Sequence, residues 1–293
     1  MNQTKAQITI AVVGDVHNQW EEQDAIALEH LGVDLVLFVG DFGNEAVAVV
    51  RQIANISVPK AAILGNHDAW YSASSWGRQK APYDQSQEDR VQQQLDLLDT
   101  AHVGYNQLDF ANYGISVVGS RPFSWGGSIW RNNQFYRDRY KVSSFEESSQ
   151  RIIHAAQQAA YDNLIIIGHN GPFGLGDRPE SICGRDWKPE GGDYGDPDLT
   201  EAITQISQLG KSIPLVTFGH MHHALKYPPG KRRTIVEVRD ETVYFNAACV
   251  PRIVNNSRSF SLVKLDQGIV REISLVWLDS NYAIQSDEIL YSR

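Results

Sequence analysis

Histidine, aspartate and asparagine side chains recur in this sequence at the points where short apolar runs stop. The run 58–64 ends at Gly65 and is followed by Asn66, His67 and Asp68. Four other apolar runs end in the same way, at Gly14-Asp15-Val16-His17, Gly40-Asp41, Gly168-His169 and Gly219-His220-Met221-His222. One such tip is ordinary turn chemistry. Five predicted strands that each deliver these side chains at their carboxyl tips indicate a metal centre.

The spacings within two of these tips favour metal binding. Asp15 and His17 lie two residues apart, as do His220 and His222, and side chains two apart share one side of an extended chain. The set is completed by Asp41, Asn66 and His169. Oxygen and imidazole ligands without thiolates suit Mn²⁺, Fe, Zn²⁺ or Co²⁺ rather than an all-oxygen Ca²⁺ site. Seven ligands are too many for one tetrahedral ion. They suit two ions roughly 3.5–4 Å apart, which clamp a phosphate and deprotonate a bridging water for in-line attack.

The elements that carry these tips alternate between strands and helices. Predicted strands lie at 8–13, 35–39 and 58–64, and predicted helices lie at 20–31 and 44–54. Asn44 is the expected N-cap of the second helix. This βαβαβ order predicts a mostly parallel sheet with right-handed crossovers. Ligands of such sheets bind beyond the carboxyl ends of the strands, which is where every candidate ligand falls.

The rest of the chain adds elements of the same kinds. Further helices are predicted at 87–98, 148–161 and 197–209, and further strands at 115–119, 164–167 and 214–218. The tail predicts alternating strands at 234–238, 242–245, 260–265 and 270–276. We expect the tail strands to form a second sheet packed against the first. No linker marks a boundary, so we expect one domain over 1–293, with an insert at 71–140.

Two irregular stretches are candidates for contact with a substrate. Segment 120–127 is aromatic and glycine-rich and carries an arginine, which fits either a substrate rim or a packed loop. Segment 171–197 holds seven glycines and begins just after His169. Long irregular segments are usually functional or disordered, and we interpret this one as a lid-like loop. The candidate substrate-binding residues are Arg121, Asn170, Arg178 and Arg185.

Composition argues against several classes of protein. The net charge of −9 offers no overall basic field for a polyanion, so long nucleic acid is not an expected partner. The two cysteines, Cys183 and Cys249, lie far apart, which argues against a disulfide scaffold or a thiolate zinc site. No apolar run approaches the roughly 18–20 residues of a membrane span. Residues 1–8 are polar, so we expect no signal peptide and a cytoplasmic, soluble protein.

The series of motifs resembles the calcineurin-like metallophosphoesterase superfamily. The five motifs stand in the family's order and cover residues 8 to about 250. The resemblance implies an α/β fold, a four-layer αββα sandwich of two mixed sheets flanked by helices, with a dinuclear metal centre at one edge. Transferred position by position, it assigns Asp15, His17 and His222 to the first metal, Asn66, His169 and His220 to the second, and Asp41 to both.

The resemblance also assigns residues that do not bind metal. His67 would face the leaving-group oxygen as a general acid or hydrogen-bond donor, and Asp68 would orient the His67 ring and raise its basicity. The implied reaction is attack by a metal-bridging hydroxide on a small phosphodiester or phosphomonoester. The implied cofactors are two divalent transition-metal ions, with Mn²⁺ and Fe as first candidates and Zn²⁺, Co²⁺ or Ni²⁺ as alternatives.

The sequence departs from the protein Ser/Thr phosphatases of this superfamily. Those proteins follow Gly-Asp with an Asp-Arg-Gly box and write Gly-Asn-His-Glu. Here Gly40-Asp41 continues as Phe42-Gly43-Asn44-Glu45, and the other motif ends in Asp68. The arginine that would hold a phosphoprotein phosphate is missing from that place, so small esters, including cyclic nucleotides, come first as substrates. The open alternatives are a nuclease, a protein phosphatase and an inactive phosphoesterase-fold binding module.

Overall fold

The structure is a computed structural model that describes residues 5–293. The prediction that residues 1–8 form no signal peptide falls partly on residues 1–4, which lie outside the described residues. The strands are β1 (Gln7–Val13), β2 (Leu35–Phe38), β3 (Lys60–Ala62), β4 (Gln107–Phe110), β5 (Ile115–Gly119), β6 (Asn163–Ile167), β7 (Ser212–Phe218), β8 (Val236–Arg239), β9 (Thr242–Asn246), β10 (Ile253–Val254), β11 (Ser257–Asp266), β12 (Ile269–Leu278) and β13 (Ile284–Ser292). The helices are α1 (Glu22–Leu31), α2 (Val47–Ala54), α3 (Ser75–Lys80), α4 (Arg90–Leu98), α5 (Asn133–Tyr140), α6 (Phe145–Gln158) and α7 (Pro197–Gln208), with 3₁₀ turns at His67–Ala69 and Asp99–Ala101.

The strands form two mixed sheets. The first has the order β13-β12-β11-β1-β2-β3, with β10 beside β11, and the second has the order β4-β5-β6-β7-β9-β8. Among the named strands of residues 5–293, parallel pairs occur in the run from β1 to β3 and in the run of β5, β6, β7 and β9. The expected α/β fold of two mixed sheets with flanking helices is confirmed. The expectation of a mostly parallel sheet holds only for these inner strands.

Strand β2 shows why the sheets and helices stack in layers. Its side chains alternate with period two. Leu35 and Leu37 enter the apolar layer between the two sheets, and Val36 and Phe38 enter the layer beneath helices α1 and α2. A strand covered on both faces must be apolar throughout, which explains its sequence. On the far side of the second sheet, α6 and α7 cover a third apolar layer.

Local signals set the ends of the covering helices. Helix α6 starts after Ser144, whose hydroxyl accepts a hydrogen bond from the backbone N–H of Glu147. Helix α1 ends at Gly32, which adopts the left-handed conformation that a helix C-terminus commonly takes. Helix α2 begins at Val47 rather than at the expected 44, and Ala46 takes the N-cap position. The prediction that Asn44 is the N-cap of this helix is therefore wrong.

The strands of the tail divide between the two sheets. Strand β9 pairs parallel with β7, and β8 pairs with β9. Strand β11 pairs antiparallel with β1, and β12 and β13 extend that sheet outward. The expectation that the tail forms a second sheet of its own is wrong. Without the tail, β1 and β7 would each have one edge of unpaired backbone N–H and C=O groups. Strands β11 and β9 pair with those edges.

The segment 71–140 is more regular than expected, because it contains α3 and α5 as well as the predicted α4. Both sheets contain strands that follow the insert in sequence. The assignment of 1–293 as one domain stays a prediction. Within residues 5–293, no helix is long and apolar enough to cross a membrane.

Candidate metal centre

The carboxyl ends of five parallel strands bring the predicted ligands to one edge of the paired sheets. Each tip turns sharply, and several ligands adopt positive φ angles to do so. The values are 51° for Asp15, 45° for His17, 57° for Asp41 and 66° for His220. Such angles are uncommon for residues other than glycine, and they cluster at functional sites.

The first group of ligand atoms comes from the tips of β1 and β7. The Nε2 atom of His222 lies 3.4 Å from Oδ1 of Asp15 and 3.2 Å from Nε2 of His17. The three donor atoms lie within 4.8 Å of one another. Asp15 is buried. Its Oδ2 atom also accepts a hydrogen bond from the backbone N–H of His220 at 2.9 Å. This bond holds the tips of β1 and β7 together.

The second group comes from the tips of β2, β6 and β7, with the turn after β3. The Nε2 atom of His169 lies 3.2 Å from Oδ1 of Asp41, 2.9 Å from Oδ1 of Asn66 and 3.2 Å from Nδ1 of His220. The other ring nitrogen of His169 donates to the carbonyl of Val39 at 2.8 Å, so Nε2 faces the centre. This arrangement of an outer hydrogen bond is typical of histidines that bind metal.

Asp41 stands between the groups. Its carboxylate lies with His169 and His220 in one triplet of donor atoms and with His17 and His67 in another. Glycines at the tips make this approach possible. A Cβ atom on Gly65 would collide with Oδ1 of Asp41. A shared carboxylate between two imidazole-rich groups fits a divalent transition-metal ion in its chemistry.

The charges at the centre interact strongly. Burial lowers the pKa of His169, but the Asp41 carboxylate outweighs burial and raises that pKa to about 9. Burial and the neighbouring His169 lower the pKa of His220 to about 3. Burial opposes ionisation of Asp41, yet His169 beside it holds the Asp41 pKa well below its usual range. Anionic oxygens and imidazole nitrogens are thus gathered in one partly buried place, as a cation site requires.

His67 lies at the edge of this centre. Its Nε2 atom is 3.9 Å from Oδ2 of Asp41, and its Nδ1 atom is 2.6 Å from Oδ1 of Asn44. Its ring stacks on Trp70, with centroids 4.4 Å apart and planes at 15°. Side chains three residues apart on a 3₁₀ turn lie one above the other, so this stacking follows from the turn at His67–Ala69.

The expected role of Asp68 toward the His67 ring is wrong. The Asp68 carboxylate accepts the backbone N–H groups of Gly65, Asp41 and Phe42 at 2.7, 3.0 and 2.9 Å. Neighbouring residues on a 3₁₀ turn point in different directions, so His67 faces the pocket while Asp68 faces inward. Asp68 joins the tip after β2 to the tip after β3, and Asn44 contacts the ring instead.

The centre forms the floor of an open pocket with a cavity volume of about 420 Å³. Its lining residues are Asp41, Asn66, His67, Trp70, Trp125, Arg131, Asp186, Trp187, Tyr194, His220, Met221, His222, Ala224 and Lys226. The cationic side chains in this lining are Arg131 and Lys226, neither of which the sequence singled out. No motif or spacing marks them, because they reach the pocket from separate loops.

The four candidate substrate contacts lie outside this lining. Arg121 is buried, with Nη2 at 2.8 Å from Asp196 and Nε at 2.9 Å from Asp198, so its guanidinium is taken up by two carboxylates. Asn170 is also buried, and its amide donates to the carbonyl of Tyr194 at 2.8 Å. The expectation that these two residues bind substrate is therefore corrected to a role in packing the 120–127 segment.

The two remaining arginines belong to the 171–197 loop. Arg178 is exposed, and Nε of Arg185 donates to the carbonyl of Gly191 at 2.8 Å. Both side chains lie on the loop itself rather than in the pocket lining. A role for either of them in substrate binding has no support in the pocket geometry.

Much of the 171–197 loop is anchored. Ile182 and Cys183 are fully buried in the apolar layer under α6 and α7, and burial raises the pKa of the Cys183 thiol well above its usual range. Arg233 donates to the carbonyls of Pro179 and Ser181 at 3.0 and 2.9 Å and to that of Gly184. The longest exposed run of the loop is the tip at 187–190. The lid interpretation stays a prediction, and it applies to that tip.

Comparisons with known proteins show which family and which fold the chain resembles. A family model described as calcineurin-like phosphoesterase matches residues 8–224. No curated protein matches the chain. Protein TT1561 of Thermus thermophilus aligns with a TM-score of 0.51 at 11% identity, over 97% of this chain and 99% of that chain.

Two further solved structures align over nearly the whole chain. One has a TM-score of 0.55 at 11% identity and covers 92% of this chain and 98% of its own. A dimetal phosphatase from Danio rerio has a TM-score of 0.49 at 12% identity and covers 98% of this chain and 99% of its own. The two alignments with TM-scores of 0.51 and 0.55 show a shared fold, and at 11% identity they leave function to be argued from the site.

Proposed function

The chain belongs to the calcineurin-like phosphoesterase family, and from that premise we propose that it hydrolyses small phosphate esters with two divalent metal ions. The observation that carries this proposal is the position of Asp41 on the floor of the pocket, where its carboxylate lies within 4.8 Å of donor atoms of His17 from the first ligand group and of His169 and His220 from the second. When bound, two ions at such a site supply charge stabilisation for phosphoryl oxygens and a nucleophile from water.

The distances support the assignment of ligands to each ion. Asp15, His17 and His222 would hold one, because their donor atoms lie within 4.8 Å of one another. Asn66, His169 and His220 would hold the other, and Asp41 would contact both. Carboxylate, amide and imidazole ligands suit Mn²⁺ or Fe first, and Zn²⁺, Co²⁺ or Ni²⁺ as alternatives.

His67 is positioned to hold a proton at the leaving-group side of the pocket. Its Nδ1 atom lies 2.6 Å from the amide oxygen of Asn44, which accepts a hydrogen bond from the protonated nitrogen. The Nε2 atom then faces the pocket, where a protonated ring donates to a departing oxygen. Because general acids contribute to the step in which the ester bond breaks, this role predicts dependence on the leaving group.

The pocket supports a small substrate rather than a phosphoprotein or a long polynucleotide. Its volume of about 420 Å³ lies in the range of small-molecule sites. Arg131 and Lys226 provide positive charge at its walls, which complements a phosphate group. Monoester and diester hydrolysis are both compatible with this arrangement.

A combined metal and activity measurement tests the proposal. Gently purified protein should contain close to two transition-metal ions per chain by elemental analysis, and it should hydrolyse monoester or diester substrates. A chelator should abolish hydrolysis, and added Mn²⁺ should restore it. Protein that holds no metal and gains no activity with Mn²⁺ on either class of ester would refute the proposal.

A further inference from the structure

Aromatic side chains form much of the pocket above the metal centre. The four that line it are Trp70, Trp125, Trp187 and Tyr194. Trp187 leaves 38% of its surface exposed, and none of these rings is fully buried. Exposed aromatic surface is unfavourable in water. Its concentration around one concave site is typical of a ligand contact.

One wall of aromatic rings begins at the proposed proton donor. His67 stacks on Trp70, and Trp70 stacks on Trp125 with centroids 5.3 Å apart and planes at 22°. The wall therefore runs from the leaving-group side of the centre toward Trp125. The alcohol part of an ester is attached to the leaving oxygen, so this wall lies beside that part of the substrate.

A second wall comes from the 171–197 loop. Tyr194 and Trp187 meet edge to face, with centroids 4.6 Å apart, and the Tyr194 ring lies within 12° of parallel to the His220 ring. The backbone N–H of Gly127 donates to the carbonyl of Tyr194 at 2.8 Å. A Cβ atom on Gly126 would come within 2.7 Å of that carbonyl. The two walls are thus in direct contact behind the pocket.

Buried polar groups hold the walls in this arrangement. Asp196 accepts from Arg121 and from the hydroxyl of Ser124, both at 2.8 Å. Asn170 donates to the carbonyl of Tyr194 at 2.8 Å. These contacts fix the two loops before a ligand arrives, and such preorganisation lowers the entropic cost of binding.

We infer that the pocket selects phosphate esters whose alcohol part carries a planar aromatic ring, such as a nucleobase, which stacks against Trp125 and Trp187. The inference rests on the proposed function, because the phosphate must lie at the metal centre for the ring to reach the walls. Both tryptophans line the same cavity as Asp41 and His67. Stacking on aromatic side chains tolerates different rings, because every planar base presents a π-face.

Adenosine 5′-phosphate and ribose 5-phosphate form a matched pair that tests the inference. Both release the same kind of primary alcohol, so they differ in the base and not in the leaving group. With the metal-loaded protein, kcat/KM should be roughly 10- to 100-fold higher for the nucleotide, the size expected for one stacked base. The methyl diesters of the two compounds make the same comparison for diester hydrolysis.

Replacing the tryptophans identifies the residues responsible. Trp187→Ala should lower the nucleotide-to-sugar ratio of kcat/KM by roughly 10-fold. Trp187 is exposed, so this variant is expected to fold. Trp125→Ala tests the other wall. Phe173→Ala is the control, because Phe173 is an exposed aromatic residue of the same loop outside the pocket lining, and its ratio should match that of the unmodified protein.

The outcomes separate the inference from the proposed function. The inference is overturned if kcat/KM is equal for the matched esters, or if the nucleotide-to-sugar ratio of kcat/KM is unchanged in both Trp187→Ala and Trp125→Ala. The proposed ester hydrolysis is unaffected by either result. If no ester is hydrolysed, including p-nitrophenyl phosphate, the proposed function fails. Calorimetric titration of the metal-loaded protein with adenosine 5′-phosphate and with ribose 5-phosphate then decides the inference separately. Tighter binding of the nucleotide that is lost in Trp187→Ala supports the stacking site, and equal binding of the two compounds overturns it.

Discussion

The floor of the pocket and its walls are held in place by different forces. Floor residues such as Asp41 and His169 are buried at strand ends, and backbone groups fix them: the N–H of His67 donates to Asp41 and the carbonyl of Val39 accepts from His169. The walls stand on two loops that are joined by one backbone hydrogen bond, from Gly127 to Tyr194, and by side chains, chiefly Arg121 and Asp196.

This difference separates chemistry from selection. The sheet geometry fixes the floor, so the ligands cannot move without moving strands. The walls depend on a few contacts between loops, and loops accept substitution more readily than strands do. We therefore expect changes in the floor to remove activity altogether. Changes in the walls should alter substrate preference or stability.

The largest effect should follow from changing the carboxylate that the two ligand groups share. Asp41→Asn replaces an anionic oxygen with a neutral amide, which bridges cations poorly. We expect loss of both ions by elemental analysis and a fall in kcat of roughly 10⁴-fold or more, since bound metal supplies several kcal/mol of stabilisation. Asp287→Asn, at an exposed position on β13, is the control. Full metal content in Asp41→Asn would contradict the shared-ligand assignment.

The next effect concerns His67, at the boundary between floor and wall. His67→Ala should lower kcat by about 10²–10⁴-fold for an alkyl ester, the usual size of general acid–base help. The loss should be much smaller for a p-nitrophenyl ester, whose leaving group departs as a stable anion. Metal content should remain unchanged. His222→Ala is the contrasting variant, since it should lose metal and activity whatever the leaving group.

Two results would change the assignment of His67. An equal loss on good and poor leaving groups, with metal retained, would mean that it stabilises phosphoryl charge rather than donating a proton. Loss of metal would place it among the ligands, in agreement with the position of its ring beside His17 and Asp41.

The floor could be predicted from the sequence, and the walls could not, for a physical reason. Each ligand follows an apolar strand, and parallel strands end at a common edge, so Asp15 and His220 meet although 205 positions separate them. No periodic rule brings Arg121 to Asp196, which lie 75 positions apart on irregular segments. The sequence shows an arginine beside aromatic residues and does not show which carboxylate it meets.

Smaller errors have the same origin. Asn44 has the type of a helix cap, but the chain turns through Glu45 and Ala46 before α2 begins, and the Asn44 side chain turns to His67. Trp70 could have been recognised from its spacing of three residues after His67, had a 3₁₀ turn been predicted there. Asp68 carries a carboxylate, which is the kind of group that orients a histidine. Its side chain, however, points away from the His67 ring and toward the backbone N–H groups of Gly65, Asp41 and Phe42.

Replacing Arg121 tests whether the walls are structural. Arg121→Ala would leave Asp196 and Asp198 buried without their cation, which typically costs about 3–5 kcal/mol. The free energy of unfolding, measured with denaturant, should fall by that amount. Arg178→Ala, at an exposed position on the loop, is the control and should change it by less than about 0.5 kcal/mol. Unchanged stability with a raised KM would restore Arg121 as a substrate contact.

The smallest effect should come from Asn44, which touches neither metal nor substrate in this assignment. Asn44→Ala removes the hydrogen bond to Nδ1 of His67, worth about 1 kcal/mol, and kcat for an alkyl ester should fall roughly fivefold. Asn55→Ala, at an exposed position after α2, should have no effect. If Asn44 acts through His67, the two changes cannot add: Asn44→Ala introduced into His67→Ala should lower kcat no further. An additional loss in that double variant would mean that Asn44 contributes to the site by itself, and the ring of His67 would then owe its orientation to Trp70 alone.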